Sequence, residues 1–307
     1  MSGNQVKDPA ESIRARLLKH TKTKGDHFQR VLTRYAIERL LFRLSQTDAS
    51  ENYVLKGAML FVTWPEQTFR STGDLDLLGY GDSDPSVITS LFTRICQFEC
   101  PADGIIFDPA TLDVKPVRED DKYQGVRLSL SGELAKAIIP VQVDIGIGDF
   151  VYPHPTRQTF PSLLPDLPEA NILMYPPETV VAEKFEAMIR FGETNSRVKD
   201  FQDIWVIIRT FHFDMSSLVE AIRGTLRRRE TAIPTEMPVG LTEIYAKIVD
   251  KNGLWSGFLR RNPPILQPPP FADLQEELRR FFAPVISGLK LPEAVKAHWE
   301  PSRRAWS

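Results

Sequence analysis

Apolar positions at Ile13, Leu17 and Leu18 within residues 11–19, and at Phe28, Val31, Leu32, Tyr35, Ala36 and Leu40 within 28–44, recur at the spacing of an amphipathic helix. The pattern predicts two scaffold helices at the start of the chain. After Val54 and Leu55 a glycine loop and a short helix through Val62 lead to an apolar strand running to Leu78. A helix is predicted over 84–98, where Asp84-Pro85 supplies a cap and a first-turn proline, and Val87, Ile88, Leu91, Phe92 and Ile95 form the buried stripe. Short strands follow at 111–115, 125–130 and 140–145. Residues 149–177 turn proline-rich and irregular, which reads as a linker or a loop wrapped over the first domain. The helical period then returns. Pro176-Pro177 opens a helix with Val180, Val181, Phe185, Met188 and Ile189 on its stripe and Gly192 as its stop. Phe201, Ile204, Trp205 and Ile208 mark a second helix, and Phe271, Leu274, Leu278, Phe281, Phe282 and Val285 a last one. The tail from Pro292 is polar and reads as loosely held, with Trp299 and Trp306 able to dock.

With 307 residues, 42% hydrophobic and 25% charged, the chain can bury a substantial core, and two domains are expected. No apolar stretch has the length of a membrane span, and the N-terminal region, with Asp8 and Glu11, carries no signal-like segment, so a cytoplasmic location is expected. Cys96 and Cys100 stand one helical turn apart with no histidine nearby, a pattern of free thiols rather than of a zinc site. A net charge of -2 does not advertise a nucleic-acid binder. Any polyanion site must be a local patch. Arg227-Arg228-Arg229, with Arg223 one turn before, is the best candidate, and a solvated helix end explains the same arginines equally well.

Candidate chemistry begins at Asp74 and Asp76. In a strand these two carboxylates project from one face while Leu75 and Leu77 enter the core. A hard cation such as Mg²⁺ takes one or two carboxylates and leaves its other positions to water and substrate phosphates. Gly57, just upstream, could let backbone amides approach such a phosphate. The same spacing at Asp82 and Asp84 reads only as a polar turn and a helix cap, so the pair alone is weak. Asp144 is a candidate third acid, set among alternating β-branched residues in Ile138-Ile-Pro-Val-Gln-Val-Asp-Ile-Gly146. A buried carboxylate needs a metal or cation to offset its desolvation; the alternative is a strand-end cap before Gly146. Lys184 interrupts an apolar stripe, so its ammonium must either reach an anion or snorkel out to water. Asp200 and Asp203 share one helix face and either stabilise a helix start or orient Lys184 or Lys199 toward a nucleotide.

Taken together, Ile13-Arg-Ala-Arg-Leu-Leu18, Phe28-Gln-Arg-Val-Leu-Thr-Arg-Tyr-Ala-Ile-Glu-Arg-Leu-Leu41, Val54-Leu-Lys-Gly-Ala-Met-Leu-Phe61, Ser71-Thr-Gly-Asp-Leu-Asp-Leu-Leu-Gly79, Ala182-Glu-Lys184 and Arg197-Val-Lys-Asp-Phe-Gln-Asp-Ile204 resemble the AbiEii/AbiGii toxin family. These are DNA polymerase β-like nucleotidyltransferases, related to the MenT toxins and typical of type IV toxin–antitoxin and phage-abortive systems. The likeness covers nearly the whole chain. It implies an α+β fold, with a polymerase β-like nucleotidyltransferase domain of mixed sheet and flanking helices over residues 1–175. A mainly helical C-terminal domain over 176–307 would complete the active-site cleft.

By the same resemblance the catalytic candidates are Asp74, Asp76, Asp144, Lys184, Asp200 and Asp203. Asp74, Asp76 and Asp144 are the implied metal ligands, for Mg²⁺ or alternatively Mn²⁺. Lys56, Gly57, Ala58, Thr72, Lys184 and Lys199 are the implied nucleotide contacts, with an NTP as substrate. Two positions depart from the family pattern: Gly57-Ala58 stands where Gly-Ser is common, and Gly73 where arginine is frequent. The implied reaction moves a nucleotide from an NTP to an RNA acceptor, with the tRNA 3′ end favoured, and so blocks translation. A protein or small-molecule acceptor, or a non-catalytic nucleotide-binding module, are the alternatives. An AbiEi-like antitoxin encoded nearby is the implied protein partner.

Overall fold

In the computed structural model of this chain, which describes residues 8–64, 73–82, 84–119, 123–262, 266–291 and 296–307, helix α1 (Pro9–Lys24) is capped by Asp8, whose side chain accepts from the Ala10 amide at 3.0 Å. It ends at Gly25 in the left-handed conformation. The following helix, α2 (Phe28–Ser45), is buried on almost every side and takes charged residues into the interior with it. Each is paired: Arg43 donates to both oxygens of Asp103, at 2.7 and 3.2 Å, and Glu38 accepts from Ser162 Oγ at 2.6 Å and from the Leu163 amide at 2.8 Å.

Strands β1 (Tyr53–Lys56) and β2 (Asp74–Gly79), helix α3 (Pro85–Gln97), and strands β3 (Ile105–Glu119), β4 (Tyr123–Leu134), β5 (Ala137–Ile147), β6 (Thr156–Phe160) and β7 (Ala170–Met174) follow. Seven of the described strands form one sheet, in the order β3-β4-β5-β2-β1-β7-β6. β2 runs parallel to β5 and β1 parallel to β7, while β1–β2 and the β3-β4-β5 run are antiparallel. Leu55, Leu75, Leu77, Val143 and Ile145 on one face, each no more than 1% exposed, pack into the core with the helices. The fold is therefore α+β, a mixed sheet flanked by helices and followed by a helical C-terminal part.

Two expectations change. The three strands predicted as short are long, because beyond their apolar centres they present positions such as Ile138 and Pro140 to solvent, which breaks the alternation that marks a half-buried strand. Residues 149–177 are not merely linker: β7 lies inside the sheet against β1, with Ala170, Ile172 and Met174 buried.

The chain divides into two compact units: one takes in the chain up to Thr63, the stretch ending at Gly148 and Arg157–Met174, the other Asp149–Thr156 and Tyr175–Ser307. The second contains α4 (Pro177–Phe191), α5 (Val198–Thr210), β8 (Phe213–Asp214), α6 (Met215–Arg228), α7 (Glu243–Lys251), α8 (Leu254–Arg261), α9 (Phe271–Leu289), β9 (His298–Glu300) and β10 (Ala305–Trp306). Phe185 stacks on Phe282 at 4.4 Å in its core. Its final residues are held rather than loose, with Trp299 donating to the Ile208 carbonyl at 2.6 Å and β9 pairing with both β8 and β10. Among the described residues no helix is long and apolar enough to cross a membrane.

Candidate active site

The polar face of the sheet is built by register. Asp76 is the Cα partner of Asp144 across the parallel β2–β5 pair, and Asp74 the partner of Gln142. On the other side Asp76 is paired with Lys56. Arg127 of β4 is paired with Asp144, and Lys115 of β3 with Arg127. In-register partners share a face, so Lys56, Asp76, Asp144, Arg127 and Lys115 form one row across five strands, with Asp74 and Gln142 one pleat away.

Two contacts set the geometry of that row. Gly57, at φ +70°, follows β1 where a β-carbon would overlap the Asp76 carboxylate, approaching its Cγ to 2.6 Å. Only glycine fits there, since both the dihedral and the space exclude a side chain. The second contact is ionic: Arg127 Nε donates to Asp144 Oδ1 at 2.7 Å and Arg127 Nη2 to Oδ2 at 2.9 Å, while Gln142 Nε2 donates to Oδ2 at 3.3 Å.

Among the described residues no three His, Cys, Asp or Glu side chains are gathered so as to cage an ion by themselves. Paired carboxylates on one face, beside a glycine whose missing side chain leaves the Asp76 carboxylate its place, suit instead a hard cation that completes its shell with water and phosphate. The oxygen donors that this face presents are Asp76 and Asp144, in register, and Asp74 one pleat away. Ala58 is buried in the 3₁₀ turn after Gly57, Lys56 faces Asp76, and Thr72 lies outside the described residues.

In the helical unit Lys184 of α4 donates to Asp200 Oδ1 at 2.7 Å and Asp203 Oδ2 at 2.8 Å, both on α5. Its side chain is 16% exposed and the carboxylates 1% and 3%, so Lys184 reaches an anionic pair instead of snorkelling to water. Arg197 Nε adds a contact to Asp200 Oδ2 at 2.7 Å. Burial alone would raise the Asp200 carboxyl, but the charges and hydrogen bonds of Lys184 and Arg197 outweigh it and hold the group well below the usual carboxylate range. Lys184 makes this contact from α4, and Lys199 is half-buried on α5, the helix that carries both acids.

Arg223 and the last arginine of the run that follows it, Arg229, are taken up by contacts within the fold. Arg223 donates to the Gly288 carbonyl at 2.9 Å, closing the end of α9. Arg229 lies 2.9 Å from Glu186, 3.4 Å from Glu183 and 3.6 Å from Asp149. Neither of these two is a solvated helix-end cation, whereas Arg227 and Arg228 at the end of α6 are exposed.

Arg127, Gln142 and Arg197 were not singled out from the sequence. A signal for Arg127 existed: it stands eight residues before Ala135 as Asp144 stands eight after Lys136, so recognising the hairpin turn would have set them opposite.

The family model described as nucleotidyl transferase AbiEii toxin, type IV TA system, matches residues 39–283. No curated protein matches the chain. Among solved structures, "Crystal structure of putative nucleotidyltransferase from H. pylori" is similar at 14% identity with a TM-score of 0.48, covering 91% of this chain and 99% of that one. JHP933 from Helicobacter pylori is similar at 14% identity and a TM-score of 0.45, covering 90% and 94%.

Proposed function

This chain belongs to the AbiEii nucleotidyltransferase toxin family of type IV toxin–antitoxin systems, and from that premise we propose that it moves a nucleotide from an NTP onto RNA, with the tRNA 3′ end as acceptor, in the cytoplasm. The observation that carries the reading is the parallel register that sets Asp76 beside Asp144, with Asp74 on the same face and Gly57 packed against Asp76. In this reaction an acceptor hydroxyl gives up its proton to water as its oxygen bonds the α-phosphorus, the bond from that phosphorus to the oxygen bridging to the β-phosphorus breaks, and pyrophosphate leaves. A divalent ion, Mg²⁺ in the first instance, would supply charge neutralisation of the triphosphate and a lowered pKa for the attacking hydroxyl.

The protein's own part is placement. Asp74, Asp76 and Asp144 offer oxygens from neighbouring strands that cannot drift apart. Gly57 gives the Asp76 carboxylate the space a side chain would take, and Lys56 stands beside Asp76 on the adjoining strand. Lys184, held by Asp200 and Asp203, is assigned to the negative charge of the phosphates, its ammonium fixed in advance so that little ordering is left to the reaction. Thr72 and Lys199 are assigned as further nucleotide contacts, and the domain boundary is placed at residues 175/176. The family supports an antitoxin partner; an AbiEi-like protein is proposed for it, and abortive defence against phage through blocked translation is proposed as the role.

Incubation with NTP labelled at the α-phosphate, once with total RNA and once with a lysate stripped of RNA, tests the acceptor. Label entering the tRNA fraction is expected. Label entering protein or metabolites while RNA stays blank would move the acceptor to one of those classes.

A further inference from the structure

The oxygens of Asp144 are already engaged: Arg127 grips both, from the neighbouring strand on the side away from Asp76. The two neighbours compete for one carboxylate. Strand spacing of about 4.8 Å sets Arg127 and Asp76 at similar distances on either side of it, and a carboxylate that gives both oxygens to a planar guanidinium has less charge and fewer lone pairs to offer an ion shared with Asp76. The guanidinium stays charged at any working pH, so protonation does not relieve the competition. Lys115, next in the row, adds a second positive charge on that side, held by Asp113 at 2.6 Å. Arg127 and Asp144 are 46% and 31% exposed, and ion pairs so placed are weakly held against water and exchange readily.

We propose that Arg127 is a built-in competitor for the cation at the Asp76–Asp144 pair: it neutralises Asp144 in the metal-free protein and must loosen its grip before the ion gains Asp144 as a ligand. The inference rests on the metal-site reading above and adds a regulator to it. Arg127 is thus a positioning residue that sets metal affinity, and it weakens binding so that the carboxylates do not hold an ion tightly before nucleotide arrives.

The test is a titration of Mn²⁺ into nucleotide-free protein, followed by loss of the free-ion paramagnetic resonance signal, in wild type, Arg127→Gln, Arg127→Lys and Asp76→Asn. Arg127→Gln is expected to bind Mn²⁺ roughly two- to fivefold more tightly than wild type, the upper part of what an exposed ion pair is worth. Arg127→Lys, which keeps the charge and loses the two-point grip, is expected in between, and its binding is informative should the glutamine variant fail to fold. Asp76→Asn is expected to lose the site. Unchanged or weaker binding in both Arg127 variants, with Asp76→Asn still losing it, would overturn the inference and leave the metal site standing. Wild type and Asp76→Asn binding alike would remove both.

Discussion

Gly57 and Asp76 determine each other. The glycine adopts a backbone conformation that side chains avoid, and the volume a β-carbon would need is filled by the Asp76 carboxylate. Gly57→Ala should therefore push Asp76 out of line with Asp144, and since a displacement of about 1 Å at a reacting centre costs on the order of a hundredfold, nucleotide transfer should fall by about that factor. Single-turnover transfer beside a far-UV dichroism spectrum checks this, with a native spectrum and lost transfer as the expected result. Lys184 is a different case, because Asp200 and Asp203 are buried around it. Removing a cation from buried carboxylates costs about 3–5 kcal/mol, so Lys184→Met should lower the unfolding free energy by that amount in urea denaturation. The sign of the pH effect follows from Asp200. Its folded pKa is depressed, so its contribution is complete above the unfolded value of about 4 and is lost as pH falls toward the folded one. Wild-type stability should thus decline as pH is lowered below about 5, and Lys184→Met should show a shallower decline across the same range.

The β4–β5 hairpin shows how much of an element the sequence makes legible. Its turn consists of Ala135 and Lys136 at φ 47° and 66°, a two-residue left-handed turn built without the Asn or Gly that normally announces one. No turn signal marks it, and so the long hairpin reads as two short strands and the pairing of Arg127 with Asp144 is hidden. Replacing Ala135→Asn and Lys136→Gly together should relieve left-handed strain and raise the unfolding free energy by roughly 1–2 kcal/mol, read as a higher denaturant midpoint with an unchanged slope. The elements with self-contained signals were easier. Pro85 behind an Asp84 cap marks α3, Pro177 and Gly192 bracket α4, and Asp74-Leu-Asp-Leu-Leu declares β2 by simple alternation. β7 was hidden by its proline-rich surroundings, although its own Ala170, Ile172 and Met174 alternate, because its place in the sheet comes from a partner far away in sequence. Buried charges were hidden for the same reason: nothing near Arg43 in the chain reveals that Asp103 will meet it.

At the scale of the molecule, a near-neutral chain of 307 residues provides a charged strip one row wide on an otherwise ordinary sheet. The acids at its centre come from β2 and β5, which are far apart in the chain and made neighbours by parallel pairing, and cations flank them in β1 and β4. That arrangement concentrates opposite charges without giving the whole protein the basic character of a general nucleic-acid binder. The helical unit supplies a second fixed charge cluster around Lys184, with its own buried supports. The central claim is that the strip performs nucleotide transfer, and label transfer from NTP to total RNA by wild type, Asp76→Asn and Asp144→Asn, each shown to be folded, tests it most directly. Transfer by wild type and a loss of about a hundredfold or more in both variants is the predicted result, and equal labelling by all three proteins would contradict it.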